Sequence, residues 1–404
     1  MNPTSAASVG SVASDAPTEP LSEVIDATRS WFQRFIIPMR EDDLDTLALW
    51  TIHTWLTPET YTSPRLLIDS PMPGSGKTTL LEHLGKLCLR PVQMASVTSP
   101  AIISRMLNIE VRTILIDEVD RTLDPKKPGI GDLIAILNSG YKTGGTRPVL
   151  VPVKGGGWDP QEHSTFSPVA LAGNTPHLPD DTRSRCIVVR LMPDNQNRAE
   201  HSDWEWIEDD ALALAERIKN ATEAVRDQVK QARPELPPGC HSRHRERWNP
   251  LAKIASVAGG YWADKIQDLI TRDLALAAEA AENGESSKSP GIQLAHDLFE
   301  IFGDAPRFES SNDLVRLLIR LNPESWSMAS PMGKDLTPKR LGSILNRSFG
   351  IYSQRIGANT RGWHSNQFRQ IWQNQGLVPS PGTVVSDPTN PTKATQTTDD
   401  GTLL

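Results

Sequence analysis

The chain has 404 residues, which is too long for a single compact core and predicts two or three domains. Its formal net charge of −7 excludes a uniformly basic nucleic-acid-binding surface, so any basic surface must be local. Three widely separated cysteines, Cys88, Cys186 and Cys240, lack metal-ligand spacing and are expected to be reduced thiols. Because there is neither a signal peptide nor a run of about 18 apolar residues, we expect a cytoplasmic protein that does not contact a membrane.

The elements predicted in chain order are those of an α/β protein. Apolar residues at helical spacing predict two N-terminal helices, and short apolar runs alternating with helical patterns then predict a parallel sheet with helices on both faces. A long Ala-rich helical region and a smaller basic region follow. The predicted divisions are a disordered tail at 1–20, N-terminal helices at 21–60, the sheet domain at 61–207, a helical region at 208–282, a linker at 283–291, a basic domain at 292–377 and a second disordered tail at 378–404.

The stretch LLIDSPMPGSGKTTLLEHLG, residues 66–85, has the composition of a phosphate-binding loop between a strand and a helix. Such a loop needs glycines for close approach, inward backbone N–H groups, a helix N-terminus and a lysine that reaches the terminal phosphates. Pro71 departs from the full pattern, which has glycine there. The predicted nucleotide-binding residues are Pro73, Gly74, Ser75, Gly76, Lys77, Thr78 and Thr79.

About 40 residues later, the segment TILIDEVD predicts a buried strand that ends in two carboxylates. We expect Thr78 to bind Mg²⁺ directly and Asp117 to bind it through water, while Glu118 orients and deprotonates the attacking water. The glycine-rich loop and the acidic strand together predict hydrolysis of ATP with Mg²⁺ as cofactor.

The same alternation of strands and helices predicts further site residues at two places in the chain. PVALAGN predicts a strand ending in Asn174, which can contact the terminal phosphate or the water; a simple turn asparagine is the alternative. Arg183 and Arg185 precede the next strand, where one of them could reach the nucleotide of a neighbouring subunit, and Arg185 is preferred. A local ion pair is the alternative for both arginines.

The arrangement resembles the AAA+ class of ring ATPases, and more narrowly the domain-of-unknown-function family 3631, whose members look like relatives of phage and plasmid replication helicases. The resemblance covers roughly residues 40–376. It is carried by DDLDTLALWTIHTW, SPRLLIDSPMPGSGKTTLLEHLGKLC, TILIDEVDRTL, LIAILNSGY, FSPVALAGN, LPDDTRSRCIVVRL and RHRERWNPLAKIASVAGGYW.

The resemblance implies an AAA+ P-loop core with a helical lid, assembled as a homo-oligomeric ring. It implies P-loop roles for Lys77 and Thr78, acidic-strand roles for Asp117 and Glu118, a sensor role for Asn174 and an arginine-finger role for Arg185. In such proteins the lid often contributes a second arginine to the nucleotide. Arg243 is the preferred candidate and Arg245 the second, with a solvated basic helix start as the alternative.

The segment TRPVLVPVKGGGWDPQEHSTF predicts a β-hairpin before Asn174. Ring helicases commonly carry such a hairpin facing the pore. Lys142, Arg147 and Lys154 could then contact DNA phosphates, and Trp158 could stack on a base. A plain surface hairpin is the alternative.

Residues 305–376 contain ten Lys and Arg but four Asp and Glu, so positive charge is concentrated there. The pattern helix, helix, ribbon, helix predicts a winged-helix-like domain, in which Thr337 caps a helix that has Pro338 at its first position. The predicted DNA contacts are Lys339, Arg340, Arg347, Arg355 and Arg361. A winged helix that binds protein instead is the alternative.

These features favour an ATP-driven motor on DNA, either a helicase or a helicase loader in replication of a phage or mobile element. The alternative is a regulatory or assembly ATPase that binds DNA without unwinding it, and a third hypothesis is a protein remodeller. No primase signature occurs in the sequence, so primer synthesis would need a separate primase or replication initiator as partner.

Overall fold

The computed structural model describes residues 19–94, 100–123, 130–176, 178–282, 290–303, 306–330, 333–356 and 360–378. The chain divides into two compact units, with the division between Ala277 and Ala278. The predicted tails fall almost entirely outside the described residues, as does most of the predicted linker. In the described part of the chain, no helix has the length and apolar character needed to cross a membrane.

The first unit is a mixed α/β structure. Its helices are α1 (Leu21–Phe35), α2 (Asp42–Trp55), α3 (Lys77–Leu87), α4 (Pro100–Ile109), α5 (Val119–Thr122), α6 (Ile130–Ser139), α7 (Asp180–Arg183), α8 (Trp204–Gln231), α9 (Ser242–Ala258) and α10 (Gly260–Glu282), with a short 3₁₀ helix at Thr57–Glu59. Its strands are β1 (Arg65–Ser70), β2 (Pro91–Met94), β3 (Thr113–Ile116), β4 (Thr146–Pro152), β5 (Trp158–Ser164), β6 (Val169–Asn174) and β7 (Cys186–Arg190).

Five of these strands form a parallel sheet in the order β2-β3-β6-β1-β7. The central strands β1, β3 and β6 are buried along nearly their whole length, and each contains a run of at least three apolar residues, because helices cover both faces of a parallel sheet. Strand β6 lies between β1 and β3, so the carboxyl ends of these three strands meet at one edge of the sheet. The predicted parallel sheet is therefore confirmed.

The N-terminal helices do not form a separate domain. Helix α1 buries one face, with apolar residues at helical spacing from Leu21 to Phe35, and its buried residues join one core with β1, α2, α3, α8 and α9. Helix α8 begins at Trp204, four residues before the predicted helical region at 208–282, and Asp203 caps it by accepting a hydrogen bond from the Glu205 N–H.

The strands β4 and β5 pair as an antiparallel hairpin outside the main sheet, with register from Thr146↔Ser164 to Pro152↔Trp158. The predicted hairpin is thus confirmed. Its turn, residues 153–157, includes three consecutive glycines with positive φ. The three cysteines of the chain are buried and unbridged.

The second unit contains α11 (Pro290–Phe302), β8 (Phe308–Ser310), α12 (Ser311–Leu321), α13 (Pro323–Trp326), α14 (Pro338–Phe349), β9 (Gln354–Ile356), β10 (Thr360–His364), a 3₁₀ helix (Ser365–Gln367) and α15 (Arg369–Asn374). A three-stranded antiparallel sheet has the order β8-β10-β9. Helix α11 begins at Pro290, within the last two residues of the linker predicted at 283–291.

Helix α14 begins as the sequence predicts. Thr337 is its N-cap, the Oγ1 atom accepts a hydrogen bond of 3.2 Å from the Arg340 N–H, and Pro338 occupies the first turn. Leu341 and Leu345 are buried in the core of this unit together with Trp363 of the ribbon. The apolar face of α14 therefore packs inward and leaves the basic residues on the remaining faces.

Candidate functional site

The predicted phosphate loop is a turn, residues 71–76, that joins the end of β1 to the start of α3; we call it the glycine turn. Gly74 and Gly76 have φ of +73° and +79°, and a Cβ at either would meet no heavy atom within 4 Å. Backbone conformation rather than crowding therefore requires glycine at both positions. Pro73, Gly74 and Thr78 are exposed, whereas Ser75 is buried.

Lys77, the first residue of α3, folds back over this turn. Its Nζ donates hydrogen bonds to the Ser75 Oγ (2.9 Å) and to the Met72 carbonyl (3.3 Å). Desolvation lowers the pKa of the Lys77 ammonium, and the nearby Asp117, together with Asp120 and Asp69, opposes that shift. The cation is thus held at the turn with weak internal partners that a phosphate could replace.

The acidic strand and the glycine turn converge. Thr78 Oγ1 donates a hydrogen bond of 2.9 Å to Asp117 Oδ2, although 39 residues separate them in sequence. The other oxygen of Asp117 accepts from the Glu118 N–H at 2.8 Å. The two residues predicted to hold Mg²⁺ therefore lie side by side at the carboxyl edge of the sheet.

Glu118 has a strained backbone, with φ +49° and ψ +45° in the left-handed region that residues other than glycine rarely adopt. Its side chain is exposed and forms an ion pair of 3.1 Å with Arg121, one turn along α5. The strain turns the chain sharply between the acidic strand and α5, which leaves the Glu118 carboxylate at the surface of the site.

Asn174 ends β6, between the strands that carry the other predicted residues. Its backbone N–H donates to Asp120 Oδ1 at 3.2 Å, and the next residue, Thr175, donates its N–H to Asp69 Oδ1 at 3.0 Å. Gly173 allows this arrangement, because a Cβ there would lie 2.8 Å from Val119 Cγ2 and 2.9 Å from Asp120 Oδ1. Two carboxylates that sequence reasoning missed, Asp69 and Asp120, thus fix the tip of β6. In the sequence, only their positions near the ends of predicted strands pointed to a role at this site.

The predicted arginines lie at the opposite edge of the sheet. Arg185 precedes β7, and its carbonyl accepts a hydrogen bond from the N–H of Arg65, the first residue of β1. Since β1 has six residues, this edge is about 20 Å from the glycine turn of the same chain. Arg183 at this edge is exposed.

Arg185 is mostly enclosed. Its side chain is 12% exposed, forms a close ion pair with Asp181, and lies over the Tyr141 ring at 5.7 Å from the centroid. The local ion pair considered from the sequence is therefore present in the single chain.

Arg243, predicted as the lid arginine, lies at the amino edge of the sheet, away from the glycine turn of the same chain. It pairs with Glu246 at 2.5 Å and approaches Asp181 at 3.8 Å. The reason is the packing of α9, which Arg247 fixes to the start of β7 by donating to the Cys186 carbonyl at 3.0 Å. Arg243 thus lies beside Arg185, while Arg245 is exposed.

The hairpin cations differ in their surroundings. Lys142 pairs with Glu246 at 2.6 Å and Arg147 pairs with Asp132 at 3.0 Å, so local ion pairs occupy both. Lys154 is exposed in the turn, and Trp158, at the start of β5, is 65% exposed. These two side chains are therefore open to solvent.

In the second unit, Lys339, Arg347 and Arg361 are exposed, and Arg340 Nη1 donates to the Lys334 carbonyl at 3.0 Å. Arg361 of β10 lies directly opposite Arg355 of β9 in the antiparallel register. Like charges directly opposite each other in a ribbon are generally destabilising.

Comparisons with known proteins give partial matches. A sequence family described as "Protein of unknown function (DUF3631)" matches residues 196–375, which lie within the range of the resemblance but make up less than half of the chain. A curated protein of Saccharopolyspora erythraea, the "Uncharacterized 28.9 kDa protein in xis 5'region", is 29% identical over 165 residues, 40% of this chain and 58% of that protein. The chain thus spans less than two thirds of that relative's length.

Among solved structures, a full-length MCM homologue from Methanopyrus kandleri is similar with TM-score 0.39 and 13% identity, over 62% of this chain and 60% of that one. The NrS-1 C-terminal region is similar with TM-score 0.37 and 12% identity, over 86% of this chain and 78% of that one. The JCV helicase is similar with TM-score 0.28 and 13% identity, over 63% of this chain and 61% of that one. Similarity at these values does not by itself establish what this chain does.

Proposed function

We propose that this chain is an ATP-hydrolysing AAA+ motor that acts on DNA, as a helicase or helicase loader in replication of a phage or mobile element. One observation carries the proposal: the hydrogen bond of 2.9 Å between Thr78 and Asp117, which unites the glycine turn with the acidic strand. A glycine-rich turn before a helix and a strand ending in carboxylates together support binding and hydrolysis of a nucleoside triphosphate.

The residues present fit Mg²⁺. Thr78 supplies a hydroxyl oxygen and Asp117 a carboxylate, which are the hard oxygen ligands that Mg²⁺ prefers. Bound there with ATP, Mg²⁺ neutralises negative charge on the phosphates. The backbone N–H groups of the glycine turn and the first turn of α3 hold the phosphate oxygens, and Lys77 exchanges its contacts with Ser75 and Met72 for the terminal phosphates.

Glu118 is proposed to orient the attacking water and accept its proton. For this the carboxylate leaves its exposed ion pair with Arg121, which costs little because such pairs are weak in water. Asn174 is proposed to contact the water or the terminal phosphate, held in place by Asp120.

Arg185 is proposed to stabilise the transition state in a second copy of the chain. The separation of about 20 Å between the two sheet edges prevents it from reaching its own glycine turn, so the catalytic site is complete only in an oligomer. A ring closes such head-to-tail contacts. The exposed Arg183 is the alternative trans residue.

DNA is proposed to contact two basic regions. Lys154 and Trp158 combine a cation with an aromatic face suited to single strands. In the second unit, the order of three helices, a capped basic helix and an antiparallel ribbon supports a winged-helix-like module. Its proposed phosphate contacts are Lys339, Arg340, Arg347, Arg355 and Arg361.

A second candidate function is a nucleotide-switched assembly ATPase that binds DNA without unwinding it. The ion pair of Asp181 with Arg185 favours it, because the proposed trans arginine is neutralised in the single chain and would be released only on assembly. Either function would leave primer synthesis to a separate primase or replication initiator.

The test is the ATPase rate with and without single-stranded and double-stranded DNA, with strand displacement on a forked duplex. A motor shows stimulation by single strands and displacement, whereas an assembly switch hydrolyses slowly and binds DNA only with ATP.

Lys77→Ala should abolish nucleotide binding, and Glu118→Gln should bind ATP but reduce hydrolysis at least 100-fold, about the contribution of a positioned general base. Unchanged ATP binding by Lys77→Ala would refute the nucleotide site.

A further inference from the structure

Three guanidinium groups surround one buried tyrosine at the sheet edge opposite the glycine turn. The side chains of Arg65, Arg185 and Arg243 lie over the Tyr141 ring at 5.8, 5.7 and 5.8 Å from its centroid. Tyr141 is fully buried, and burial raises the pKa of its hydroxyl, so the ring stays neutral and offers its face to the cations. The ring is thus a platform that fixes the positions of Arg185 and Arg243.

One exposed carboxylate bridges the groups above this platform. Asp181 Oδ1 forms a close ion pair with Arg185 and lies 3.8 Å from Arg243, while its Oδ2 accepts a hydrogen bond of 3.1 Å from Asn138 Nδ2. The Asp181 side chain is 60% exposed, whereas that of Arg185 is 12% exposed. The cations are therefore held by the protein, and the anion lies on the solvent side, where it can be replaced.

Three polar atoms of the residues in this cluster lack partners. Within the described residues, the Tyr141 hydroxyl, Arg185 Nε and Asn138 Oδ1 are buried without a hydrogen-bond partner. The Tyr141 hydroxyl and Arg185 Nε are donors, and buried donors left unsatisfied cost free energy, so a site that contains them gains when a ligand with several acceptor oxygens binds. Asn138 Oδ1 is an acceptor and gains nothing from a phosphate. Asp181 offers two oxygens, and a phosphate offers three.

We propose that Arg185, Arg243 and Asn138 form a phosphate-binding site that Asp181 occupies in the single chain. The ligand is the terminal phosphate of a nucleotide held by the glycine turn of a second copy, so this inference rests on the proposed function. Phosphate exchanges with Asp181 as counter-ion, and no covalent bond changes.

This exchange makes assembly depend on the nucleotide. A triphosphate presents a terminal group with more negative charge than a carboxylate and displaces Asp181, whereas a diphosphate lacks that group. As long as the Asp181 carboxylate stays in the site, it repels an approaching phosphate at short range. Asp181 thereby prevents copies from associating before ATP is bound.

The experiment measures assembly of the full chain by sedimentation velocity with AMP-PNP, with ADP and without nucleotide. Asp181→Asn removes the competing charge and should assemble with AMP-PNP at a concentration about tenfold lower than the wild type, within the usual range of coupling between sites. Asp180→Asn is the matched control, because Asp180 is exposed one residue away and contributes the same charge; it should assemble like the wild type.

Asn138→Ala gives a second readout that leaves the charge of Asp181 in place, although it removes the hydrogen bond from Asn138 to that carboxylate. It removes a phosphate ligand and should raise the concentration needed for assembly about tenfold. Asp181→Asn assembling no better than the wild type, with a melting temperature showing that it is folded, would overturn the exchange. So would an Asp180→Asn variant that assembles as readily as Asp181→Asn.

Binding of a fluorescent ATP analogue to the wild type separates the two proposals. If the wild-type chain binds the analogue and assembles with AMP-PNP, but Asp181→Asn shows no gain, the counter-ion exchange alone fails. If the wild type binds no analogue, the proposed function fails and the exchange fails with it.

Discussion

His83 shows how a single buried residue ties the helix behind the glycine turn to the rest of its unit. Its Nδ1 accepts a hydrogen bond of 3.0 Å from Trp31 Nε1, its Nε2 lies 2.9 Å from Ser202 Oγ, and its ring stacks on Phe35 at 4.5 Å. The contact with Trp31 requires a neutral imidazole. Burial accordingly lowers the pKa of His83 to about 4.

We expect the stability of the protein to fall as the pH drops from 7.5 to 5. In the unfolded chain the imidazole has a pKa near 6.5, so the unfolded state binds the proton first. The stabilisation due to neutral His83 is complete above about pH 6.5 and is lost as the pH falls toward 4. At pH 5 the loss from His83 alone is about 1–2 kcal/mol of the free energy of unfolding. Urea unfolding at the two pH values measures it.

His53 has the same sign, since burial lowers its pKa to about 3, and it pairs with Ser63. A His83→Phe variant should therefore lose part of the pH dependence and keep the part due to His53. Equal stability of the wild type at pH 7.5 and pH 5 would contradict the argument for both histidines.

At the scale of elements, strand β6 and helix α5 approach so closely that only glycine fits between them. A Cβ at Gly173 would lie 2.8 Å from Val119 and 2.9 Å from Asp120, whereas a Cβ at Gly85, inside α3, would make ordinary contacts of 3.8 and 4.0 Å. The two glycines therefore have opposite roles: one permits packing, and the other only weakens a helix.

Gly173→Ala should destabilise the protein by about 1–3 kcal/mol, the usual cost of overpacking, and should also move Asn174. Gly85→Ala should stabilise it by about 0.5–1 kcal/mol, because alanine favours the helix. Urea denaturation midpoints of the two variants measure both effects. A Gly173→Ala variant as stable as Gly85→Ala would show that the close contact is not rigid.

The ribbon of the second unit leads to a prediction about DNA. Arg361→Ala removes one of two opposed arginines, so it should weaken DNA binding and lower the slope of log K against log salt by about one. Arg369→Ala is the matched control, since Arg369 is exposed in the same unit but outside the ribbon. Equal loss of affinity in both variants would indicate general charge attraction rather than contact by the ribbon.

At the scale of the whole molecule, the proposed catalytic groups lie at two opposite edges of one sheet. Lys77, Thr78 and Asp117 are at the carboxyl edge, and Arg185 is at the amino edge. A single chain cannot bring these groups together, and two chains placed head to tail can.

Mixing inactive variants tests this arrangement. Lys77→Ala and Arg185→Ala should each be inactive alone, but a mixture should recover activity, because some contacts pair an intact glycine turn with an intact Arg185. The ATPase rate is measured as a function of mixing ratio, with Arg183→Ala in parallel. No recovery at any ratio would argue against the trans role of Arg185, and recovery only with Arg183→Ala would transfer the role to Arg183.

Much of the fold and of the candidate site could be predicted locally. The strand before Ser70, the acidic strand before Asp117 and the cap at Thr337 depend on residues that are adjacent or one helical turn apart. Strand β2 was missed, since this short, partly exposed edge strand begins with proline and has no apolar run. Hydrophobic periodicity identifies buried elements better than edges.

The sequence by itself determined the residue chemistry at each element end: glycines in a turn, a lysine at a helix start and carboxylates after a strand. Only the tertiary structure decided which ends meet. It brought Thr78 to Asp117, and it moved Arg243 away from the glycine turn to lie beside Arg185. The physical reason is that strand order and helix packing are set by burial across the whole unit, which residue spacing along the chain does not encode.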